Sequence, residues 1–302
     1  MIEIDPKKQL DLIHSEVNLS TPESQLKSFF QLFSGLVLTV VISVSMLFLT
    51  AELVVELLPA SWEDKIHLSI SKWSRESLQE DHSKEPQKEN QRKEIEIYLQ
   101  GLVDELKMGT RLMEAPLKLS YVSSEELNAW AVPGYQILVT EGLYKKAESE
   151  NEVAMILAHE LGHFDLRHTM KNSARSLIIM VLSIFLSEQE AALSLADSIT
   201  NSIHSGYSRK QEEDSDAYAL ELISQIYGQN SSGVLDFFER LGKKENRLNR
   251  AMAYLSTHPS STKRVNLLKE RIRELGMSEK GKRALKIPWK PLKEEGVLED
   301  SE

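Results

Sequence analysis

The longest uninterrupted apolar stretch of the chain lies near its amino terminus. Residues 29–50 contain no charged side chain, and about 20 apolar residues in a helix are enough to cross a lipid bilayer. The few hydroxyl side chains within the stretch do not build the polar face that a buried helix of a globular domain usually has. The pattern therefore predicts one transmembrane helix, preceded by a polar tail over residues 1–28. A cleaved signal peptide is the weaker alternative, because its apolar region would be shorter.

After this span the composition becomes mixed and then polar. Residues 51–93 are predicted to form an amphipathic lead-in that carries Trp62 and Trp73, followed by a linker, since residues 78–93 are almost wholly polar. Residues 94–285 are expected to form the folded domain, and residues 286–302 an acidic tail. Within the domain, apolar residues recur at helical spacing from Ile95 onwards and predict its first helix.

Leu117, Leu119 and Tyr121 alternate with polar residues, as in a half-buried strand. Residues 117–121 predict one strand, and residues 128–140 predict two more, joined by a tight turn at Pro133 and Gly134. Gly142 is interpreted as a break before the next helix. The remaining periodic segments favour helices, so the expected fold class is α+β, mostly helical, with a small β-sheet and one N-terminal transmembrane helix.

A second apolar run, Leu177–Leu186, is only ten residues long, which is too short to span a bilayer as a helix. Burial within the folded domain is the favoured interpretation. A lipid-facing patch is the alternative.

Composition and charge exclude several classes of function. The 302-residue chain has a net charge of −10, so it lacks the positive excess that would neutralise phosphates, and no nucleic-acid partner is expected. No glycine-rich phosphate loop is present, and nucleotide binding is not expected either. The chain contains no cysteine, which excludes disulfides and thiolate metal sites. Any metal must therefore be held by histidine, aspartate or glutamate.

Residues 159–163 carry the pattern His-Glu-x-x-His within a stretch that predicts a buried helix. His159 and His163 are four residues apart and share a helix face, so both imidazoles can reach one metal ion. Glu160 lies about 100° around the helix, beside the metal, where its carboxylate can take a proton from a metal-bound water. The pattern predicts a catalytic zinc site. Two solvated or core histidines beside an incidental glutamate would give the same pattern.

A catalytic zinc ion typically has a third protein ligand, and the helix predicted over residues 207–222 offers one. Glu212 and Asp216 are four apart on one face of this helix. Glu212 could bind the metal, and Asp216 could accept a hydrogen bond from a ligating imidazole, which fixes the tautomer of that histidine. Glu213 is a competing ligand, and a solvated acidic run is the alternative without a function.

Taken together, four motifs in order resemble the M48 family of zinc metallopeptidases, over roughly residues 59–275. The motifs are Asn128-Ala-Trp-Ala-Val-Pro-Gly, His159-Glu-Leu-Gly-His with Arg167-His168, Ser208-Arg-Lys-Gln-Glu212 continuing to Asp216, and Thr257-His258-Pro259 with Arg264. The chain departs from the family pattern at two places. Tyr135 stands where the family has a second glycine, which leaves the geometry of this turn open, and Asp214-Ser215 replaces Glu-Ala.

The resemblance implies a zincin fold of the gluzincin type with one zinc ion per chain. It implies that His159, His163 and Glu212 bind the zinc. Glu160 would be the general base and would then donate a proton to the leaving amine. Asp216 would orient one of the ligating histidines.

The resemblance also implies a substrate cleft lined by Asn128, Ala129, Trp130 and Ala131, where an extended peptide adds as an extra strand. His258 would lie near the zinc and either stabilise the developing oxyanion or occlude the site at rest. A histidine that merely packs a loop is the alternative. Within the same motif, Arg264 is a further candidate site residue, whereas a structural role is expected for His168.

The expected function is that of a membrane-anchored zinc metalloendopeptidase that hydrolyses peptide bonds in misfolded or membrane-associated proteins. Its expected partners are protein or peptide substrates and the lipid bilayer. Similarity to single-anchor bacterial members favours a catalytic domain on the extracytoplasmic, periplasmic side of a bacterial inner membrane. One rival is a non-catalytic membrane scaffold or chaperone that retains zinc, against which the complete His-Glu-x-x-His argues. The other is a zinc hydrolase of small molecules, which a closed, small pocket would favour.

Overall fold

The computed structural model of the protein describes residues 22–59, 65, 86–186, 206–228, 231–237, 239–240, 258, 262–277 and 281–287. The predicted tail over residues 1–21, the segment with Trp62 and Trp73, and nearly all of the acidic tail lie outside these residues. The chain divides into two compact units, Met1–Thr50 and Ala51–Glu302.

Helix α1, Pro22–Leu57, contains the predicted span and extends seven residues beyond it at each end. Pro22 suits the first helical position, where a backbone N–H has no partner within the helix. Hydroxyl groups inside the helix bond back to its carbonyls, as Thr39 does to the oxygen of Gly35 at 2.9 Å. This contact satisfies a polar group that lipid could not. Among the described residues, Gln25–Leu57 is the one segment long and apolar enough to cross a membrane.

Helix α2, Pro86–Leu106, begins eight residues before the predicted start of the folded domain. The prediction of a linker over residues 78–93 is therefore wrong from Pro86 onwards. Polar residues hold this first part in place, because the Arg92 guanidinium donates to the carbonyl oxygen of Tyr121 at 3.2 Å. The apolar side chains at helical spacing are buried, as expected, and include Ile95, Leu99, Leu102, Val103 and Leu106.

The three predicted strands form one sheet. They are β1 (Lys118–Val122), β2 (Ala129–Val132) and β3 (Gln136–Thr140), in the order β1-β3-β2. Strand β1 is parallel to β3, and β2 is antiparallel to it. Among the described strands, β2 therefore lies at an edge of the sheet. The fold class is confirmed as mostly helical with a small β-sheet.

In the turn between β2 and β3 the backbone is left-handed at Tyr135, although this residue stands in place of the glycine of the family pattern. Tyr135 has φ +58°, directly after Gly134 with φ +105°. Such a φ is strained for a tyrosine. Its side chain is buried and lies 6.0 Å from the ring of Phe164 between centroids, so packing offsets the strain. The tyrosine therefore leaves the tight turn in place.

Gly142 does not separate β3 from the next helix, as the sequence suggested. It lies inside the short helix α3, Glu141–Lys146, which is capped by the Thr140 side chain. A Cβ atom at Gly142 would lie 2.4 Å from the carbonyl oxygens of Glu125 and Glu126. Glycine is required here because two backbone segments approach closely.

Helix α4, Glu150–Asp165, is the centre of the domain, and nearly all of its side chains are buried. It packs against β2, α2 and two later helices. The predicted helix over residues 150–168 is divided at Arg167, whose φ of +60° redirects the chain into α5, His168–Leu186. Two more helices follow, α6 (Arg209–Tyr227), which begins with a capping box at Ser208, and α7 (Thr262–Glu274).

The apolar run at the end of α5 is not buried where its side chains are described. Leu177 is 40% exposed and Ile179 is 53% exposed. The buried residues of α5 lie in its first turns, including Thr169 and Met170, and the helix then continues past the core. The interpretation that this run packs inside the domain is therefore wrong for Leu177 and Ile179.

Candidate metal centre

The site is built where α4 and α6 approach each other closely. A Cβ atom at Gly162 of α4 would lie 3.1 Å from the Cα atom of Ser215 in α6, so a larger residue would push the helices apart. Helical spacing places His159 and His163 on one face of α4, and this face meets Glu212 on α6. All three side chains are completely buried. The close contact of the two helices thus brings two imidazoles and a carboxylate together.

Four side chains offer ligand atoms that all lie within 4.8 Å of one another, namely those of His159, His163, Glu212 and His258. The Nε2 atoms of His159 and His163 are 3.0 Å apart. Glu212 oxygens lie 3.5 Å from the first and 3.4 Å from the second. His258 Nδ1 lies 3.3 Å from His159 Nε2 and 3.1 Å from Glu212 Oε1.

These separations are close to those expected around one zinc ion. With ligand distances of about 2.0–2.1 Å, neighbouring ligand atoms of a tetrahedron lie about 3.3–3.4 Å apart. The five separations given above range from 3.0 to 3.5 Å when both oxygens of Glu212 are included, and one ligand atom from each of the four residues lies within 4.8 Å of the others. Nitrogen and carboxylate oxygen are also donors that zinc accepts. Glu213, the competing ligand in the sequence, is not part of this group of four.

A second layer of side chains holds the carboxylates. Asp216 Oδ1 lies 3.0 Å from His159 Nδ1, on the side of the ring away from the metal position. Arg264 donates to both Asp216 oxygens, at 2.8 and 2.9 Å. Its Nη1 also lies 2.6 Å from Glu212 Oε2. One buried guanidinium therefore connects the two carboxylates predicted from α6.

The net charge of the buried side chains favours the binding of a cation. Within the described part of the chain, Glu212 and Asp216 pair with the guanidinium of Arg264, and Glu160 is buried in the same site. With neutral imidazoles, these three carboxylates and one guanidinium carry a net charge of −2. Burial lowers the pKa of the His159 imidazole, but Asp216 and Glu212 outweigh this effect and raise it to about 10. The negative field that favours a proton on this ring equally favours a divalent metal ion.

Glu160 lies beside the four donors. Burial raises the pKa of its carboxyl group. One oxygen, Oε2, accepts a hydrogen bond from the backbone N–H of Ala131 at 2.8 Å. The other, Oε1, is buried, makes no hydrogen bond within the described part of the chain, and lies 3.4 Å from His258 Nε2. A carboxylate oxygen held in this way is suited to take a proton from a water bound near His258.

The open edge of β2 faces these side chains. Thr140 N donates to Asn128 O at 3.0 Å, so in this antiparallel pair the N–H and C=O of Ala129 and Ala131 point away from β3. The Ala131 N–H is taken by Glu160, and the Ala129 carbonyl lies 3.3 Å from His258 Nε2. Of the four predicted cleft residues, Ala129 and Ala131 are thus at the open edge, whereas Asn128 and Trp130 pair with β3.

Tyr207 belongs to the site, although no feature of the sequence indicated this. Its ring stacks on that of His163, with centroids 3.5 Å apart and an angle of 11° between planes. Its hydroxyl donates to the carbonyl oxygen of Ala131 at 3.3 Å, which is the second of the two acceptors at the open edge of β2. Its place directly before the capping residue Ser208 indicates only that it precedes α6.

His163 has its own outer partners. Its Nδ1 lies 3.1 Å from Ser215 Oγ and 3.1 Å from His168 Nδ1. Ser215 stands at the position where the sequence departs from the family's alanine, so the departure supplies a hydroxyl that can fix the ring. Burial, with the Lys171 charge, lowers the pKa of His168 to about 4. His168 supports a neighbouring ring and is outside the group of four donors.

Comparison with known proteins agrees with this geometry. The family model described as peptidase family M48 matches residues 89–272. The chain is 27% identical over 180 residues to the mitochondrial metalloendopeptidase OMA1 of Schizosaccharomyces pombe, covering 58% of this chain and 52% of the relative. It is 26% identical over 171 residues to the metalloprotease YcaL of Escherichia coli, covering 55% and 66%.

A third relative is the putative beta-barrel assembly-enhancing protease of Vibrio cholerae, 25% identical over 191 residues, which cover 59% of this chain and 39% of the relative. The chain spans less than two thirds of the length of each of these three relatives. The similarity therefore concerns the part that contains the four donors and the residues around them.

Arg264 should be essential for stability. Its replacement by methionine leaves two buried carboxylates without their cation, and we expect a loss of about 3–5 kcal/mol in the free energy of unfolding, measured by urea titration in detergent. Arg271→Met on the same helix is the control, because Arg271 pairs with Glu221 and Glu274 at the surface and should change stability little. Equal unfolding midpoints for the two variants would contradict the role given to Arg264.

Proposed function

The chain belongs to peptidase family M48 and is a metalloprotease, and we propose that it is a membrane-anchored, zinc-dependent endopeptidase. The observation that carries the proposal is the convergence of His159, His163 and Glu212 in tetrahedral spacing with Glu160 beside them. A site that only stabilised the fold would not need a buried carboxylate next to the metal position.

We propose that His159, His163 and Glu212 bind the zinc ion. Asp216 would keep His159 Nε2 free to bind by accepting the proton on Nδ1, and Arg264 would hold Asp216 and Glu212 in place. When bound, zinc polarises a substrate carbonyl and lowers the pKa of a water molecule. The protein side chains then have to orient the substrate and move protons.

Proton transfer is the role we propose for Glu160. Its Oε1 is buried without a hydrogen bond among the described residues, and burial raises the pKa of the carboxyl group. Such a group takes up a proton more readily than an exposed carboxylate would. The same proton would pass to the leaving amine of the cleaved peptide bond. The backbone N–H of Ala131 holds the other oxygen and so fixes the direction of Oε1.

Peptide binding would use the open edge of β2, where an extended chain can add as a further strand. In the structure the hydrogen-bonding groups of Ala129 and Ala131 are occupied by Asn128, His258, Glu160 and Tyr207. His258 Nδ1 also lies 3.3 Å from His159 Nε2 and 3.1 Å from Glu212 Oε1. We propose that this conformation is a closed form in which His258 would be a fourth ligand of the zinc, and that His258 leaves this position and the strand edge when a substrate enters. Of the two roles expected for His258, the geometry favours occlusion.

We propose that α1 anchors the chain in a membrane as a single span, with the catalytic domain on the extracytoplasmic side of a bacterial inner membrane. The helix Gln25–Leu57 supports the anchor by its length and composition. The choice of side follows the name of one bacterial relative, a putative beta-barrel assembly-enhancing protease. Proteins that are misfolded or lie at the membrane would be the substrates within reach of such an enzyme.

One observation favours a second candidate function. Four protein donors lie together, and four protein ligands are typical of structural zinc sites. A scaffold or chaperone that retains zinc without cleaving would therefore show the same group of donors. Glu160 argues against it, because burial of a further carboxylate beside the donors costs free energy and adds no ligand to a site that only holds zinc.

The ligand assignment can be tested on adjacent residues. Glu212→Ala should lower the zinc content of the purified protein, because one of three ligands is lost, while Glu213→Ala should keep it. Zinc is measured by mass spectrometry after dialysis, with circular dichroism as the check that both variants fold. The reverse pattern would move the third ligand by one residue and contradict the assignment.

The role of Glu160 can be tested with a substitution that preserves its shape. Glu160→Gln should keep the bound zinc but lower the hydrolysis rate on the order of 10²–10⁴-fold, since an amide cannot accept the proton. Cleavage of an unfolded protein and zinc content are measured on the same preparation. A variant that cleaves as fast as the wild type would show that Glu160 is not the base.

A further inference from the structure

A row of basic side chains lies along one face of α5 and at its start. Arg167 directly precedes the helix, and Lys171 and Arg175, which follow at intervals of four residues, share a helix face. The first of them holds the end of α1, because Arg167 Nη1 donates to the carbonyl oxygens of Val55, Glu56 and Leu58 at 2.9, 3.0 and 2.9 Å. Carbonyls at the end of a helix lack partners within the helix, and the guanidinium supplies one.

The other two basic residues pair with acidic residues of α1. Lys171 Nζ lies 2.7 Å from Glu56 Oε2, and Arg175 pairs with Glu52. From Lys171 to Arg175 the chain advances by four residues along α5, while the paired residues of α1 go back by four, from Glu56 to Glu52. The two helices therefore run antiparallel in this contact. All of these residues belong to the compact unit Ala51–Glu302.

The side chains of α5 become apolar directly after this row. Within Leu177–Leu186, Ser183 is the one polar residue, and Leu177 and Ile179 are 40% and 53% exposed. Exposed apolar surface of this kind usually marks a contact with lipid or with another molecule. At 1.5 Å per residue the run is about 15 Å long, about half of the 30 Å apolar core of a bilayer. It can enter a bilayer but cannot cross one.

We propose that this end of α5 inserts into the lipid bilayer that α1 spans, with acyl chains as the occupant of the exposed surface at Leu177 and Ile179. The inference rests on the membrane anchoring proposed above. Two observations support lipid rather than a protein partner. The residues that the start of α5 contacts, between Glu52 and Leu58, follow the uncharged stretch of residues 29–50 closely in the sequence. The ion pairs also neutralise Glu52 and Glu56, which lowers the cost of placing these carboxylates near lipid.

Insertion would also bear on the reaction. Helix α5 follows α4 directly through Arg167, so its insertion would hold the carboxyl end of the metal-binding helix close to the bilayer surface. Lysine and arginine are favoured at the level of the lipid headgroups, which is where the row of three basic residues would then lie. Substrate segments emerging from the bilayer would be within short reach of the site.

The experiment uses the absence of cysteine from the chain. Three matched variants, Ile179→Cys, Ile97→Cys and Ile42→Cys, are labelled with an environment-sensitive fluorophore and reconstituted as full chains in phosphatidylcholine vesicles. The exposed fractions of the three isoleucines are 53%, 73% and 56%, so none of the substitutions disturbs the core. Quenching is measured with lipids that carry a spin label on the acyl chain.

We expect loss of fluorescence for labels at residues 179 and 42 and no loss at residue 97, which lies on α2 of the folded domain. Quenching at residue 42 without quenching at residue 179 would overturn the inference and leave the anchor intact. No quenching at residue 42 would overturn the anchor, and the inference with it. Quenching at residue 97 as strong as at residue 179 would also overturn the inference, because lipid contact would not be specific to α5.

Discussion

The whole site depends on how closely α4 and α6 approach each other. Gly162 allows the contact with Ser215, and the contact places Glu212 within 3.5 Å of both ligating imidazoles. The electrostatic cost of burying these groups is high, since unpaired charges in a protein interior are strongly destabilising. Arg264 offsets part of it by contacting Glu212 and Asp216, and a divalent metal ion would offset the remainder. The packing of the two helices and the charge of the buried side chains therefore both favour a metal ion at this site.

Local signals were sufficient for much of the fold and for part of the site. Helical spacing placed His159 and His163 on one face, alternation located β1, and the turn at Pro133 and Gly134 separated β2 from β3. The family resemblance was needed for Glu212, which spacing left in competition with Glu213, and for His258.

Contacts between distant segments were not accessible from local signals. Nothing near Tyr207 in the sequence indicates that its ring stacks on His163, because the partners are separated by more than 40 residues. The polar start of α2 and the glycine at position 142 misled prediction for a similar reason, since contacts with distant backbone fix the conformation around each.

The proposed closed form would relate latency to substrate recognition. The groups of Ala129 and Ala131 that an incoming peptide strand would need are held by Asn128, His258, Glu160 and Tyr207. His258 contacts both the strand edge and the other metal donors. In the proposed function, displacement of His258 would therefore free the Ala129 carbonyl and one donor position of the metal site together, while Glu160 and Tyr207 would have to release Ala131 separately.

The most direct test of the account is hydrolysis of a fluorescently labelled, unfolded protein by the full chain purified in detergent. Wild type and His258→Ala are each measured before metal removal, after a zinc chelator, and after zinc is restored. The account predicts cleavage that is lost with the chelator and recovered with zinc, at a higher rate for His258→Ala. Zinc-loaded preparations of both proteins that fail to cleave, or cleavage that the chelator leaves unchanged, would contradict it.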